Sequence, residues 1–397
     1  MSFRGFLLAA RRYTSPAAAA GLVLMTAAGA CTAASFDDNI KAILAVGSEG
    51  KGHPAAIAAV KELSMGSAES LIPLLKAFDD ASPLAANWLR GTFDAVADRQ
   101  LKTTGQLPAE NLEAFIKDTN RTAEARRLAY EWLIKVDRGA SDRLIPGMLR
   151  DASPEFRRDA VQRVIKSAIT AREDKQVEQA QKLYRQALTG AVDDDQVKAI
   201  VGPLREMGQQ VDLQKHFGFL TEWYVAGPFD NTGFQGFDIA YPPEKSVDLT
   251  AKYTGKEGEV TWQKFATTDE YGVFNIAKQT SPYKGAVMYA TATFTSEKAR
   301  PVEFRLGTPN AWKLWVNGEL MFGRDEYHRG TQLDQYRVKA RLRSGNNTIL
   351  LKVCQNEQTE EWAQDYKYQI RVCDSTGAAI LPSPAAATSR VDRSKPE

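Results

Sequence analysis

Only three histidines occur in these 397 residues, His53, His216 and His328, and none has a cysteine or carboxylate partner at metal-ligand spacing. Zinc is held by closely spaced Cys, His or carboxylate groups, so this distribution argues against a metal site. A Gly-x-Ser-x-Gly elbow, a P-loop and a dinucleotide fingerprint are also absent, and no cofactor is implied. Carboxylates number 49, and a glycosidase needs only two of them about 5–10 Å apart, a separation that chain spacing does not report. What remains is aromatic chemistry. An exposed indole or phenol ring offers a platform for the C–H face of a sugar, with polar neighbours to read hydroxyls. Trp315, Trp362, Tyr327 and Trp262 are the candidates, with Arg324, Asp325, His328 and Arg329 on the loop 323–332. The competing reading is that the tryptophans only seal a core. The loop is the better functional candidate, because charged groups beside Tyr327 and His328 gain nothing obvious structurally.

Those residues sit around Trp312-Lys313-Leu314-Trp315-Val316-Asn317-Gly318-Glu319-Leu320-Met321-Phe322. An Asn-Gly pair between apolar runs predicts a β-hairpin, since a two-residue turn of this kind needs positive φ at both central positions. Alternation then sets Trp312, Leu314 and Val316 on one face and Lys313 and Trp315 on the other. A tryptophan turned away from its strand's apolar set must be covered or must do the covering.

Beyond Phe217 lie five of the seven tryptophans and ten of the thirteen tyrosines. Short alternating runs follow at 222–226, 260–265, 287–295, 302–306, 335–342, 347–354 and 366–372, which with the hairpin predict an antiparallel β-sandwich or jelly roll over 216–382. Four motifs occur in order: Trp223-Tyr224-Val225-Ala226-Gly227-Pro228-Phe229; Gly236-Phe237-Asp238 with Tyr241-Pro242-Pro243-Glu244; Leu314-Trp315-Val316-Asn317-Gly318; and Gly345-Asn346-Asn347-Thr348-Ile349-Leu350-Leu351-Lys352-Val353. Together they resemble the galactose-binding-like jelly-roll modules that accompany bacterial glycoside hydrolases and large envelope proteins, notably of planctomycete type. The resemblance implies a non-catalytic module, and many members of that fold only package neighbouring domains. Related sequences often carry an acidic Ser-Asp-Asp-Gly turn where this chain has Thr308-Pro309-Asn310-Ala311, which removes the support for a polar-ligand role there.

The half before it, 31–215, has helical periodicity and a recurring block. Leu71-Ile72-Pro73 through Ser82-Pro83 is echoed by Leu144-Ile145-Pro146 through Ser153-Pro154, with a third copy at 111–130. Ser82 and Ser153 are candidate N-caps, each followed by proline where no N–H is missed, and Asp80 and Asp151 add negative charge near the helix start. The blocks resemble HEAT-type repeats, although the first has Ala86-Asn87 where the others have Arg126-Arg127 and Arg157-Arg158. Helices are also expected at 175–192 and 196–207. Such a stack implies a protein-binding surface or a spacer. The four arginines are expected to form a solvated or inter-repeat salt-bridge face rather than a ligand site.

Residues 1–30 read as a signal peptide, with a basic start, an apolar run from Pro16 to Ala28 and Ala28-Gly29-Ala30 ahead of Cys31. That ending resembles a lipobox, which implies lipidation of Cys31 and membrane attachment, and it equally suits ordinary secretion. Removing Arg4, Arg11 and Arg12 turns the formal charge from +2 to −1, so the field of the whole protein gives no argument for nucleic acid. Were 349–354 and 366–373 one hairpin, Cys354 and Cys373 would stand on the order of 16 Å apart, so free thiols are expected. The tail 383–397 reads as disordered. Taken together, the sequence predicts a multidomain α plus all-β protein exported to the periplasm or cell envelope. Its expected role is non-enzymatic, binding a glycan or envelope partner. The alternatives are a protein scaffold without sugar affinity and a glycoside-processing enzyme.

Overall fold

A computed structural model describes residues 34–383, so the expected signal peptide 1–30, Cys31 and the tail beyond Ser383 lie outside the described residues. Helices α1 (Phe36–Leu44), α2 (His53–Leu63), α3 (Leu71–Lys76), α4 (Pro83–Thr104), α5 (Ala109–Lys117) and α6 (Ala123–Val136) come first. They are followed by α7 (Ala140–Leu144), α8 (Pro154–Glu173), α9 (Val177–Leu188), α10 (Asp194–Glu206) and α11 (Leu213–Phe217). Neighbouring helices pack on one another along the chain, α1 on α2, α3 on α4, α5 on α6 and α8 on α9. The starts are chemically fixed: the hydroxyls of Ser82, Thr122 and Ser153 accept from the N–H groups of Ala85, Ala125 and Phe156. Each satisfies a donor that the first turn leaves without a partner.

The arginines tie one helix pair to the next. Arg126, 1% exposed, makes a bidentate pair with Asp151 at 2.8 Å on both arms. Arg127 meets Asp159 at 2.6 Å and Glu155 at 3.3 Å, and Arg158 meets Asp193 at 2.8 Å. Asp151 thus does more than face a helix dipole. Its burial raises the carboxyl pKa, but the Arg126 bond outweighs that and holds it below the usual range. The Arg157 guanidinium is buried and donates through Nε to the Asp151 carbonyl at 3.0 Å.

The second half is antiparallel throughout. Its strands are β1 (Glu222–Asp230), β2 (Lys252–Gly255), β3 (Gly258–Thr261), β4 (Gln263–Ala266), β5 (Phe274–Asn275), β6 (Ala286–Ser296), β7 (Arg300–Gly307), β8 (Ala311–Val316), β9 (Glu319–Arg324), β10 (Tyr336–Leu342), β11 (Gly345–Gln355) and β12 (Lys367–Cys373). One sheet runs β4-β1-β6-β11-β8-β9, the other β10-β7-β12-β5, with β2-β3 as a separate ribbon. Between the two sheets lies a core that includes Trp223, Phe294, Trp312, Leu314, Phe304 and Ile370. The β8–β9 hairpin turns at Asn317 (φ 55°) and Gly318 (φ 83°), both in the left-handed region, as the Asn-Gly pair requires.

Two expectations need correction. The run 260–265 is two strands broken at Trp262, because β3 pairs with β2 while β4 pairs with β1. More consequentially, β11 and β12 are not a hairpin: they belong to opposite sheets, and the segment between them crosses from one to the other. Cys354 and Cys373 are free and buried, as expected, but for a different reason from the assumed register.

The halves share an apolar cluster. Phe217 and Phe219 join the core of α8, α9 and α10, and Tyr271 and Leu333 from the β half pack against it. Arg371 on β12, 1% exposed, donates to both oxygens of Asp334 at 2.6 Å and to the Phe217 and Gly377 carbonyls at 3.2 and 2.9 Å. Arg305 also reaches Asp334, at 2.7 Å, and Glu303, at 2.9 Å.

Candidate functional site

The outer face of the six-stranded sheet explains Trp315. Alternation turns this side chain away from the main core, and the excursion between β1 and β4 folds over it with Phe237, Val260 and Trp262. At 6% exposure Trp315 is part of a second small core and offers no open platform, and Trp262 at 8% is equally covered. Under the same cover Lys352 is fully buried. Its ammonium donates to the Phe237 and Ile239 carbonyls at 3.0 and 2.8 Å and pairs with Glu244 at 2.7 Å, while burial pushes its pKa down. These bonds tie the cover to the sheet.

The loops at the end of β11 behave differently. This strand finishes in buried amides, Gln355 and Asn356, and the following segment makes a short turn, Glu361–Ala363, that carries Trp362 outward at 62% exposure. Three loops meet there. Buried Asn231, after β1, donates to the Tyr327 hydroxyl at 3.1 Å and to the Gln355 carbonyl at 2.9 Å. Its own Oδ1 is buried without a partner among the described residues. The Asn356 oxygen accepts from the Gln358 N–H at 3.2 Å, so its NH2 faces His328 Nε2 at 2.8 Å, and the imidazole accepts there. The His328 ring then meets Trp362 edge-on, 4.9 Å between centroids at 83°. On the other side Tyr327 packs edge-on against Phe234 at 5.3 Å, and Phe234 is 51% exposed. Burial pushes the Tyr327 hydroxyl pKa up, so it stays a neutral hydrogen-bonding group.

Phe234, Tyr327, His328 and Trp362 therefore form one aromatic rim, held from below by amides and flanked by Glu357, which accepts from the Gly233 N–H at 2.9 Å. The remaining candidates go elsewhere. Arg324 and Arg329 share the carboxylate of Glu326, at 2.8 and 3.2 Å. Asp325 lies toward Asp238 and Lys313; burial first, then the Asp238 charge, raises its pKa against the pull of Lys313. Phe234, Asn231, Asn356 and Gln358 escaped sequence reasoning. The run Gln355-Asn356-Glu357-Gln358, amides directly after an apolar strand, was the available signal. The turn at Thr308 and Asn310 is filled structurally: Asn310 is buried and donates to Gln355 Oε1 at 3.2 Å and to the Asp365 carbonyl at 3.1 Å. Among the described residues no group of three or more His, Cys, Asp or Glu is placed to hold a metal ion, and no helix is long and apolar enough to cross a membrane.

No family model matches the chain, and no curated protein matches it. Among solved structures, the chain is similar to a Kluyveromyces marxianus β-glucosidase in complex with glucose, at 13% identity and a TM-score of 0.19, over 23% of this chain and 11% of that one. A family 35 carbohydrate binding module from Clostridium thermocellum matches at 16% identity and a TM-score of 0.16, over 22% and 78%. A β-glucuronidase from an uncultured Clostridium sp. matches at 10% identity and a TM-score of 0.23, over 40% and 29%. The chain thus spans about a tenth of the β-glucosidase's length (11%).

Proposed function

We propose that the β half is a non-catalytic glycan-binding module of an exported envelope protein, and that the helical half, read as HEAT-type repeats, presents a scaffold surface to a protein partner. The observation that carries this reading is the exposed indole of Trp362, fixed by His328 and surrounded by hydrogen-bonding groups. A ring that large is not left in water without cost, and an indole 62% exposed offers surface for stacking on a pyranose. Gln358 and Glu357, on the same loop after β11, supply acceptors and donors for hydroxyls. The platform is Trp362 with Phe234, and Trp315 has no part in it.

A glycan array, followed by affinity electrophoresis on the polysaccharides that score, tests this. Trp362→Ala should weaken binding about tenfold or more, the loss of one stacking contact. Absence of binding by the wild-type protein to every glycan leaves the pure scaffold reading in its place, and turnover of a glycoside panel would instead establish an enzyme.

A further inference from the structure

The four-stranded sheet ends in β10, which pairs with β7 on one side and among the described residues has no strand on the other. Alternate residues of β10, Val338 and Leu342, enter the core, so Arg337, Lys339 and Arg341 stand on the outer face, about 7 Å apart. All three are exposed, and among the described residues none forms an ion pair. The register explains why. Lys339 lies opposite Glu303, but both Nε and Nη2 of Arg305 already hold the Glu303 carboxylate, at 3.0 and 2.9 Å. Asp374 uses Oδ1 to accept from the Thr376 and Ala378 N–H groups and the Thr376 hydroxyl, and Arg337 shares a second groove with Asp193, Asp194, Asp195 and Asp334 without pairing with any of them.

Beside this row lies a groove of about 630 Å³, whose lining includes Lys298, Arg300 and Lys339. The lining also has the apolar Ala299 and Pro301, Val302 and Ala340 turned toward the core beneath, and two carboxylates, Glu303 and Asp374. Charged side chains on an edge strand also keep other strands from pairing with it, and one lysine would suffice for that. Edge protection does not account for two further cations off the strand, nor for the exposed apolar Ala299 and Pro301 beside them. Free cations around exposed apolar side chains match a ligand with a C–H face and anionic substituents. We propose that this edge binds an anionic polysaccharide, its sugar faces on Ala299 and Pro301 and its carboxylates or sulfates on Arg300, Lys339 and Arg341. The site is on the opposite sheet from β11 and does not depend on the Trp362 reading.

The test is affinity electrophoresis of the full chain in polygalacturonate, dextran sulfate and neutral dextran, at low and high salt. Wild type should be retarded by the first two only, and less so at high salt. Arg300→Gln/Lys339→Gln/Arg341→Gln should bind about tenfold more weakly, each exposed ion pair contributing a fraction of the total. Lys61→Gln/Lys166→Gln/Lys182→Gln removes the same charge from exposed helical positions and should bind as wild type does. Circular dichroism checks that both variants fold. Equal weakening by both variants, salt-independent retardation, no retardation at all, or binding to phosphatidylglycerol vesicles without binding to either acidic polymer would each overturn the proposal. Trp362→Ala should leave acidic retardation unchanged, which separates this outcome from the fate of the aromatic rim.

Discussion

Replacing Asp334 by Asn should destabilise the β half by about 3 kcal/mol, near the lower end of the 3–5 kcal/mol that breaking a buried ion pair costs. The carboxylate is 14% exposed and serves two guanidiniums that are 6% and 1% exposed. Neither cation loses everything: Arg305 keeps Glu303, and Arg371 keeps the Phe217 and Gly377 carbonyls, which is why the lower end applies. Asparagine is the informative replacement because Asp334 has φ 58°, a conformation that Asn tolerates and Ala does not. The charge is then removed without backbone strain. Urea unfolding followed by tryptophan fluorescence reads the effect, since five of the seven tryptophans lie beyond Phe217. The pH dependence gives a second handle. Burial raises the Asp334 pKa, but its bonds to Arg371 and Arg305 outweigh this and hold it below the ordinary range. A group with a depressed folded pKa adds stability that is present above its unfolded value, about 4, and is lost as pH falls through the folded value. The gap between wild type and Asp334→Asn should therefore be full at neutral pH and close on acidification below about pH 4. A gap under about 1 kcal/mol at neutral pH, or one that does not change with acid, would refute the ion-pair account.

Trp315→Ala should cost about 3–5 kcal/mol of stability by opening a cavity beneath the β1–β4 excursion, while the folded variant keeps its glycan affinity. Loss of binding with unchanged unfolding would reverse that assignment. Burial pushes the Cys354 and Cys373 thiols up to about 12 and about 11. In a Cys31→Ser background the native protein at mildly alkaline pH should be inert to a thiol reagent and react only once unfolded; prompt reaction of the native protein would contradict the buried placement.

Much of the β half was legible because its short β-branched and aromatic runs are set apart by turn residues. The hairpin's faces and turn follow from Asn317-Gly318 and the spacing of Trp312, Leu314 and Val316 alone. The helix starts were equally local, written in Ser82-Pro83 and Ser153-Pro154. What failed was non-local. The segment between β11 and β12 has a hairpin's length, and nothing in it announces a change of sheet. The cover over Trp315 comes from the excursion between β1 and β4, with Phe237, Val260 and Trp262, so its burial depends on residues more than fifty positions away. The candidate rim was partly visible: Tyr327, His328 and Trp362 were singled out, but Phe234 was not, and their support comes from amides after β1 and after β11 brought together only by the closed sandwich.

The shared cluster of Phe217, Phe219 and Tyr271 bears on how two weak contacts would add. Between α11 and Phe219 there is a single residue, Gly218, so no flexible tether separates the helices from the sandwich. For modules joined by a loose linker, the second binding event draws on an effective concentration set by linker length. Here the packed junction sets the spacing instead. A partner on the helices and a polymer on the sandwich would reinforce one another only where their own separation matches this fixed span, and would compete where it does not.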